Sequence, residues 1–527
     1  GRDATWLAIG ASIFASNIGS EHLIGLAGAG ASSGMAMAHW EIQGWMILIL
    51  GWVFVPFYSR SMVYTMPEFL ERRYNPQSRT ILSVISLVSY VLTKVAVTVY
   101  AGGLVFQQVF GIKELWGIDF FWIAAIGLVV LTALYTIFGG MKSVLYTSVL
   151  QTPILLLGSL IILVLGFKEL GGWDEMMRVC GAVTVNDYGD AMTNLIRSND
   201  DANFPWLGAL IGSAIIGFWY WCTDQFIVQR VLSGKNEKEA RRGTIFGAYL
   251  KLLPVFLFLI PGMIAFALHQ KYIGAGGEGF LPMLANGTAN ADAAFPTLVA
   301  KLLPAGVKGL VVCGILAALM SSLASLFNSS AMLFTIDFYK RFRPETPEKK
   351  LVGIGQIATV VIVILGILWI PIMRSVGDVL YTYLQDVQSV LAPGIAAAFL
   401  LGICWKRTSA QGGMWGLIAG MVIGLTRLGA KVYYSNAGEV ADSTFKYLFY
   451  DMNWLFFCGW MFLFCIIVVI VVSLATEAPT AEKIQGLVFG TATKEQKAAT
   501  RASWDHWDII HTAIILAITA AFYWYFW

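Results

Sequence analysis

Stretches of mostly apolar residues, separated by short polar segments, recur through the whole sequence. A transmembrane helix needs about 20 such residues. Only 13% of this chain is charged and 57% is hydrophobic, whereas about a quarter of a soluble protein is charged. A soluble chain this apolar would expose large apolar patches and aggregate. The sequence therefore predicts an all-α polytopic membrane protein, and it excludes a water-soluble enzyme, a disordered protein and a nucleic-acid binder.

The apolar stretches predict about 13 transmembrane helices. Their expected ranges are 4–29, 37–58, 79–110, 118–139, 143–167, 204–230, 244–270, 295–337, 351–373, 377–404, 410–427, 453–475 and 508–527. The eighth is too long for one crossing, so we expect a separate short helix before Pro304. Lys and Arg favour one set of alternating loops by about two to one, and the more basic side is cytoplasmic. This bias predicts a cytoplasmic Gly1 and an external Trp527.

Polar residues interrupt spans one and six. Span one contains Asn17, Glu21 and His22, and span six contains the aromatic and polar run 217–225. Such groups inside a membrane are typical of broken helices that line a wet cavity; a kink packed against neighbouring helices is the alternative. Because the interruptions are five spans apart, we expect two inverted five-helix repeats with the substrate at their interface.

This organisation divides the chain into four parts. We expect residues 1–167 to form the first repeat and 204–404 the second, with an extracellular or periplasmic loop at 168–203 between them. Residues 405–527 would add C-terminal transmembrane helices. Each repeat contributes one broken helix, so both repeats are needed to form the site.

Isolated charges in the other spans need a reason, because a charge at the middle of a bilayer is energetically expensive. Lys94 and Asp224 are compatible with a structural ion pair or a helix cap. Glu41 in span two, Lys251 in span seven and Gln385 in span ten are compatible with a structural network or with part of a binding site.

Span eight carries a polar stripe on an otherwise apolar helix, because Ser321, Ser325 and Asn328 recur at helical spacing. Hydroxyls and unwound carbonyls are the hard oxygen ligands that an alkali cation prefers; serines as small packing residues are the alternative. The Cys and His spacing predicts no zinc site, and no nucleophile–base pair suggests an enzyme.

Several long strings of this sequence are similar to those of a known transporter family: IGASIFASNIGS at 9–20, WYWCTDQ at 219–225, LKL at 250–252 with PGM at 261–263, LMSSL at 319–323 and WKR at 405–407. On these strings, which extend over nearly the whole chain, the sequence resembles the sodium/glucose cotransporter branch of the sodium:solute symporter family. The resemblance implies a LeuT-like fold, with spans one to ten as its core helices.

The resemblance also implies a sugar site and a sodium site. Sugar hydroxyls would be held by the side chains of Asn17, His22, Glu41, Lys251 and Gln385. An inner gate under the sugar ring would be formed by Tyr220, with Trp221 beside it. Sodium would be held by the carbonyls of Ala15, Ile18 and Ala318 and by the hydroxyls of Ser321 and Ser322.

This chain departs from the family pattern at three positions. Gly217 stands where relatives carry Asn or Thr, so one sugar contact is missing or taken by water. Ser148 and Ala324 stand where some members carry the ligands of a second sodium ion. The loss of both ligands implies one sodium ion per sugar.

The implied function is sodium-coupled secondary active symport of a hexose, of the glucose or galactose type, by alternating access. Na+ and a small sugar are the implied partners. The implied location is the plasma membrane or a bacterial inner membrane, which the chain would span several times. Two alternatives stay open: the same fold carrying myo-inositol or another neutral polyol, and a sugar sensor that does not transport.

Overall fold

Helices form nearly all the regular structure of the computed structural model, which describes residues 2–19, 21–284, 287–376, 380–436 and 441–527. The strands within these ranges are β1 (Glu114–Leu115) and β2 (Ile118–Asp119), which pair as a short antiparallel hairpin. The prediction of an all-α protein is therefore confirmed.

Short helices and π-helical segments alternate in the first third of the chain. The elements in order are α1 (Trp6–Asn17), π-helix Glu21–Leu26, α2 (Ala27–Ser32), 3-10 helix Gly34–Met37, α3 (Ala38–Glu41), α4 (Gly44–Ile49), π-helix Leu50–Phe54, α5 (Val55–Ser61), α6 (Met66–Arg73), α7 (Pro76–Ser89), π-helix Tyr90–Val95, α8 (Ala96–Phe110), α9 (Phe120–Leu170) and α10 (Trp173–Gly181). Helix α10 lies within the segment that was predicted to be a loop at 168–203.

The middle third repeats this alternation. Its elements are α11 (Trp206–Gly217), π-helix Phe218–Thr223, α12 (Gln225–Leu232), α13 (Glu237–Lys251), π-helix Val255–Leu259, α14 (Ile260–Gly274), 3-10 helix Ala291–Ala293, α15 (Ala294–Leu302), α16 (Ala305–Met332), π-helix Leu333–Tyr339, α17 (Lys340–Phe342), α18 (Glu348–Val376) and α19 (Leu380–Cys404). The predicted separation of a short helix before Pro304 is confirmed, because α15 ends at Leu302 and Pro304 caps α16.

Long helices dominate the last part of the chain. They are α20 (Ala410–Asn436), α21 (Thr444–Lys446), π-helix Tyr447–Asp451, α22 (Trp454–Ala475), α23 (Ala481–Ile484), α24 (Lys494–Ala502) and α25 (His506–Tyr525). Among the described residues, 10 helices are long and apolar enough to cross a membrane, and three shorter ones are also apolar: Trp6–Asn17, Ala96–Gln107 and Phe120–Leu134. The prediction of a polytopic helical membrane protein is therefore confirmed, with about 10 apolar helices of spanning length among the described residues.

One predicted boundary is wrong. The spans 118–139 and 143–167 were expected to be separate, but the backbone is helical without interruption over the 51 residues of α9. Only Lys142 and the glycines before it suggested a loop, and these residues do not by themselves end helical hydrogen bonding.

Spans one and seven pack closely along both of their halves. A Cβ at Gly10 on α1 would lie 2.5 Å from the ring of Phe246 on α13, and a Cβ at Gly262 on α14 would collide with the carbonyl oxygen of Ala27. Small residues at these points let the helices approach. The two spans are therefore in close contact at both of these points.

Candidate functional site

The two predicted breaks are confirmed. Helix α1 ends at Asn17, because Ile18 is extended, and the chain becomes helical again at Glu21. In span six, Asp224 is extended, and its carboxylate caps α12 by accepting from the backbone N–H of Phe226. A π-helical segment adjoins each break, and such segments are frequent at functional sites.

A small cavity of about 50 Å³ lies between the two breaks. All seven residues predicted to contact a sugar line it, and they come from five different spans. Among the described residues, the lining consists of Asn17, Glu21, His22, Trp40, Glu41, Gln43, Ile216, Gly217, Tyr220, Trp221, Lys251, Leu384, Gln385 and Gln388. The structure therefore brings together residues that are up to several hundred positions apart in the chain.

A buried ion pair forms the centre of this lining. Lys251 Nζ donates to Glu41 Oε2 at 2.6 Å, and both side chains are about 4% exposed. His22 Nε2 lies 3.2 Å from the same carboxylate oxygen. Because the carboxylate has two donors and the ammonium has a carboxylate, neither charge is left unpaired in the membrane interior.

The network continues from the ion pair to the broken helices. Lys251 Nζ also donates to Asn17 Oδ1 at 3.2 Å, and Asn17 Nδ2 donates to the Tyr220 hydroxyl at 3.2 Å. Spans one, two, six and seven are thus joined by one chain of hydrogen bonds. A change in any of these spans would alter the positions of the groups that line the cavity.

Three buried polar atoms in the cavity lining have no hydrogen-bond partner within the described residues: His22 Nδ1, Trp40 Nε1 and Gln385 Oε1. A buried polar group without a partner is unfavourable. A ligand with several hydroxyl groups could satisfy both the donor and the acceptors, because each hydroxyl can donate and accept.

Aromatic side chains form the floor of the cavity. The rings of Tyr220 and Trp221 meet edge to face at 5.0 Å between centroids, and Lys251 Nζ lies 5.3 Å from the centroid of Trp221. Tyr220 is 8% exposed. Its ring also faces Lys94, whose Nζ lies 4.5 Å from the ring centroid.

Lys94 and Asp224 form a second buried ion pair, behind Tyr220 rather than in the cavity lining. Lys94 Nζ donates to Asp224 Oδ2 at 2.6 Å, and the Tyr90 hydroxyl donates to Asp224 Oδ1. The backbone N–H of Phe226 donates to the Tyr90 oxygen at 3.0 Å. The structural interpretation of Lys94 and Asp224 is confirmed, because the carboxylate is both an ion-pair partner and a helix cap.

The end of α1 meets the middle of α16 at the predicted sodium site. Ser322 Oγ donates to the carbonyl oxygens of Ser16 at 3.1 Å and Ile18 at 3.3 Å. The hydroxyls of Ser16 and Ser325 are hydrogen-bonded at 2.7 Å. Buried within one helical turn of these contacts are Ala15, Ala318 and Ser321. Of the five predicted residues, Ile18 and Ser322 are therefore in direct contact, and the carbonyl of Ser16 joins them.

The donor set at this junction consists of neutral oxygens. Within the described part of the chain, no group of three or more His, Cys, Asp or Glu side chains could hold a metal ion. Carbonyls freed at a helix break, together with serine hydroxyls, suit a monovalent cation such as Na+. Arg230, which is fully buried, donates from Nε to the Ser16 hydroxyl at 3.1 Å. This fixed positive charge disfavours a nearby cation electrostatically.

The sequence-based site omitted half of the cavity lining. Gln388 lies one helical turn after Gln385, and this spacing was a signal that could have identified it. Gln43 follows Glu41 across an irregular turn at Ile42, so helical spacing gave no indication that its side chain also reaches the cavity. Apolar lining residues such as Ile216 carried no signal.

A broken-helix bundle with a polar cavity at its centre defines a class of membrane transporters, the secondary transporters of the LeuT-like fold. The model of the sodium:solute symporter family matches residues 1–420. The chain belongs to this family: it is a sodium-coupled solute symporter and a multi-pass membrane protein, not an enzyme.

Curated relatives include transporters of two kinds of polyol. The chain is 36% identical to the sodium/myo-inositol cotransporter 2 of Homo sapiens over 93% of this chain and 74% of that protein. It is 38% identical to the sodium/glucose cotransporter 1 of Ovis aries over 90% of this chain and 74% of that protein.

Solved structures share the fold at lower sequence identity. A Na+-coupled sialic acid symporter in a substrate-bound outward-open state superposes with a TM-score of 0.70 at 22% identity, covering 91% of this chain and 92% of that one. MhsT in complex with L-phenylalanine superposes with a TM-score of 0.52 at 14% identity, covering 90% and 100%. These similarities show the LeuT-like fold.

Proposed function

We propose that this symporter carries a neutral polyhydroxylated solute, with a hexose of the glucose or galactose type as the first candidate. The observation that carries the proposal is the hydrogen-bonded network of Glu41, Lys251, Asn17 and Tyr220 around the central cavity. Glu41 and Lys251 are paired with each other, so neither of them needs a charged group on the ligand.

The polar atoms of the cavity suit a polyol because they include both donors and acceptors. Binding would satisfy the unpartnered atoms of His22, Trp40 and Gln385. An analogue that lacks a hydroxyl would leave one of these buried groups unpaired, which is how such sites reject close analogues. The face of a sugar ring would pack on Tyr220, in the position of an inner gate.

Sodium coupling would act through the junction of α1 and α16. In this proposal Na+ is held by the carbonyls of Ala15, Ile18 and Ala318 and by the hydroxyls of Ser321 and Ser322. Since Asn17 follows Ser16 directly and contacts Lys251, an ion that fixes the end of α1 would also fix the sugar-binding groups. Sodium would thereby favour the state that binds sugar from outside.

The proposed stoichiometry is one sodium ion per sugar. Ala324 in α16 is buried and carries no hydroxyl that could hold a second ion. The side chain of Ser148 lies outside the described residues. A measured ratio of charge to labelled sugar of one would agree with this stoichiometry, and a ratio of two would contradict it.

Alternating access would use the two inverted repeats, 1–167 and 204–404. Each supplies one broken helix to the cavity, namely span one and span six. We propose that the two repeats move relative to each other around the cavity, opening it first to one side of the membrane and then to the other.

Myo-inositol is the second candidate substrate, because sodium/myo-inositol cotransporters are among the relatives at 36–38% identity over 93% of the chain. A sugar sensor that does not transport is a further alternative, which uphill accumulation would exclude.

A competition experiment distinguishes the substrates. Purified protein in proteoliposomes would take up labelled glucose under an inward sodium gradient, in the presence of unlabelled D-glucose, D-galactose, myo-inositol or a neutral amino acid. We expect a hexose to compete best and the amino acid not to compete. Stronger competition by myo-inositol would favour the second candidate, and uptake insensitive to every polyol would contradict the proposal.

A further inference from the structure

Gly217, the last residue of α11, lines the cavity but offers no side chain to a ligand. The space that its side chain would occupy is filled by the amide of Gln43. A Cβ built at Gly217 would lie 2.5 Å from Gln43 Oε1, 2.9 Å from Cδ and 3.0 Å from Nε2. The side-chain carbonyl of Gln43 is therefore located where a polar residue at 217 would begin.

The amide of Gln43 is held in one orientation. Its Nε2 donates to the carbonyl oxygen of Ser213 at 2.8 Å, one turn before Gly217 on the same helix. Gln43 is 2% exposed. Among the described residues, the bond to Ser213 is the one hydrogen bond that its side chain makes. With the amide nitrogen directed to α11, Oε1 remains an acceptor at the cavity wall.

The backbone that carries Gln43 is also fixed. Ile42 and Gln43 form the irregular turn between α3 and α4. Gly44, the next residue, approaches α13 so closely that a Cβ there would lie 2.8 Å from the carbonyl oxygen of Ala248. A side chain on a constrained turn, with its amide anchored, presents its acceptor without further ordering on binding.

We propose that Gln43 is a substrate-binding residue and a determinant of specificity, whose Oε1 accepts a hydrogen bond from one substrate hydroxyl in place of the absent side chain at position 217. The sugar contact expected to be missing at Gly217 is thus supplied by a different helix. This inference rests on the proposed function, because it requires that the cavity binds a polyol.

An acceptor at this position selects for a hydroxyl that can donate. A sugar that is deoxygenated or O-methylated at that one hydroxyl leaves Oε1 unpaired in a buried site. The wild-type protein should discriminate against that analogue by about 10- to 100-fold in kcat/KM. For analogues altered at hydroxyls that face other residues, the discrimination should depend on those residues and not on Gln43.

The test compares Gln43→Ala and Gln43→Met with the wild-type protein in sodium-driven uptake by proteoliposomes. Gln43→Met keeps the length of the side chain and removes the acceptor, so it separates hydrogen bonding from packing. We expect both variants to raise the KM for the sugar by about tenfold, without a change in the sodium concentration for half-maximal uptake. Gln107→Ala, which removes a half-buried glutamine that is bonded to Asp119 and lies outside the cavity lining, is the control.

The most direct test moves the acceptor to the other helix. Gly217→Asn alone should weaken sugar binding, because its side chain collides with Gln43. Combined with Gln43→Ala, the same substitution should restore the KM towards the wild-type value. Such opposite effects of one substitution in two backgrounds would show that the two positions share one space and one role.

A series of singly deoxygenated sugars gives the decisive result. The inference predicts that one analogue is poorly transported by the wild-type protein and is no longer distinguished by Gln43→Met. If the variants keep the wild-type KM, or if KM rises while discrimination among the analogues is unchanged, Gln43 is a packing residue and the inference is wrong. A wild-type protein that accumulates no polyol contradicts the proposed function itself, and this inference with it.

Discussion

At the scale of single residues, two of the buried ion pairs have different roles. Glu41 and Lys251 line the cavity, whereas Lys94 and Asp224 lie behind Tyr220 and hold the break in span six. The sequence identified all four as exceptional, because charges inside a membrane need partners. The sequence could not show which pair lines the cavity, because that depends on the side of Tyr220 on which each pair lies.

Replacement of Lys251 by methionine should impair substrate binding more than any exposed lysine does. Glu41 would keep only His22 as a donor, and Asn17 Oδ1 would lose its donor. Because hydrogen bonds to charged groups contribute about 1.5–3 kcal/mol, the KM for the sugar should rise about 10- to 100-fold. Initial rates of sodium-driven uptake over a range of sugar concentrations measure this effect.

The control for this substitution is Lys271→Met, which removes an exposed lysine that bonds the carbonyls of Glu169 and Leu170. Its KM should remain within about twofold of wild type, since exposed contacts contribute little. Equal KM values for the Lys251 and Lys271 variants would show that the central ion pair does not take part in binding.

At the scale of elements, the apolar pattern was sufficient for most of the fold. It predicted the spans, the two breaks and the separate helix before Pro304. Asn17, Asp224 and Pro304 are each recognisable in the sequence as residues that interrupt an apolar helix. It did not predict that α9 is continuous or that π-helical segments adjoin the breaks. Backbone hydrogen-bond register is set by packing between helices, and hydropathy does not report it.

The candidate site was predictable to a similar extent. Polar residues inside spans pointed to the cavity, and the resemblance to a family selected seven of them. Gln43 was missed because its contribution arises from the absence of a side chain at Gly217, on a different helix. Ser16 was missed because the Ser322 hydroxyl reaches its backbone carbonyl, which no residue type signals.

Close packing between spans one and seven gives a prediction at this scale. Gly262→Ala should lower the thermal unfolding midpoint in detergent, because the new Cβ collides with the backbone of Ala27, and overpacking costs about 1–3 kcal/mol. Gly274→Ala, in the same helix α14, is the matched control, because among the described residues its Cβ would meet no atom within 4 Å apart from the adjoining backbone. Its midpoint should be unchanged or slightly higher, and an equal decrease in both variants would contradict the account.

The cap and ion pair at the break in span six can be tested by a double-mutant cycle. Lys94→Met and Asp224→Asn each leave one member of a buried pair, so each should destabilise the protein by about 3–5 kcal/mol. The double variant should be less destabilised than the sum of the two, because no unpaired charge remains. Thermal unfolding of the four proteins measures the coupling; additive effects would mean that the two side chains do not interact.

At the scale of the whole molecule, the two proposed sites, for sodium at the junction of α1 and α16 and for sugar in the cavity, share one helix break. Ser16 and Ile18 contact Ser322 on α16, and Asn17, between them, contacts Lys251 and Tyr220. Sodium binding at one site would therefore order the groups of the other, which is a physical basis for coupling. A membrane potential of 100 mV contributes about 2.3 kcal/mol per charge, or roughly fiftyfold in accumulation.

The accumulation of a labelled hexose in proteoliposomes under an inward sodium gradient tests this account most directly. The wild-type protein should concentrate the sugar above its external level, and it should only equilibrate the sugar when sodium is equal on both sides. The Ser321→Ala, Ser322→Ala double variant should lose the dependence on sodium. Accumulation that is the same with and without the gradient, or a double variant that remains fully sodium-dependent, would contradict sodium-driven polyol symport through these two sites.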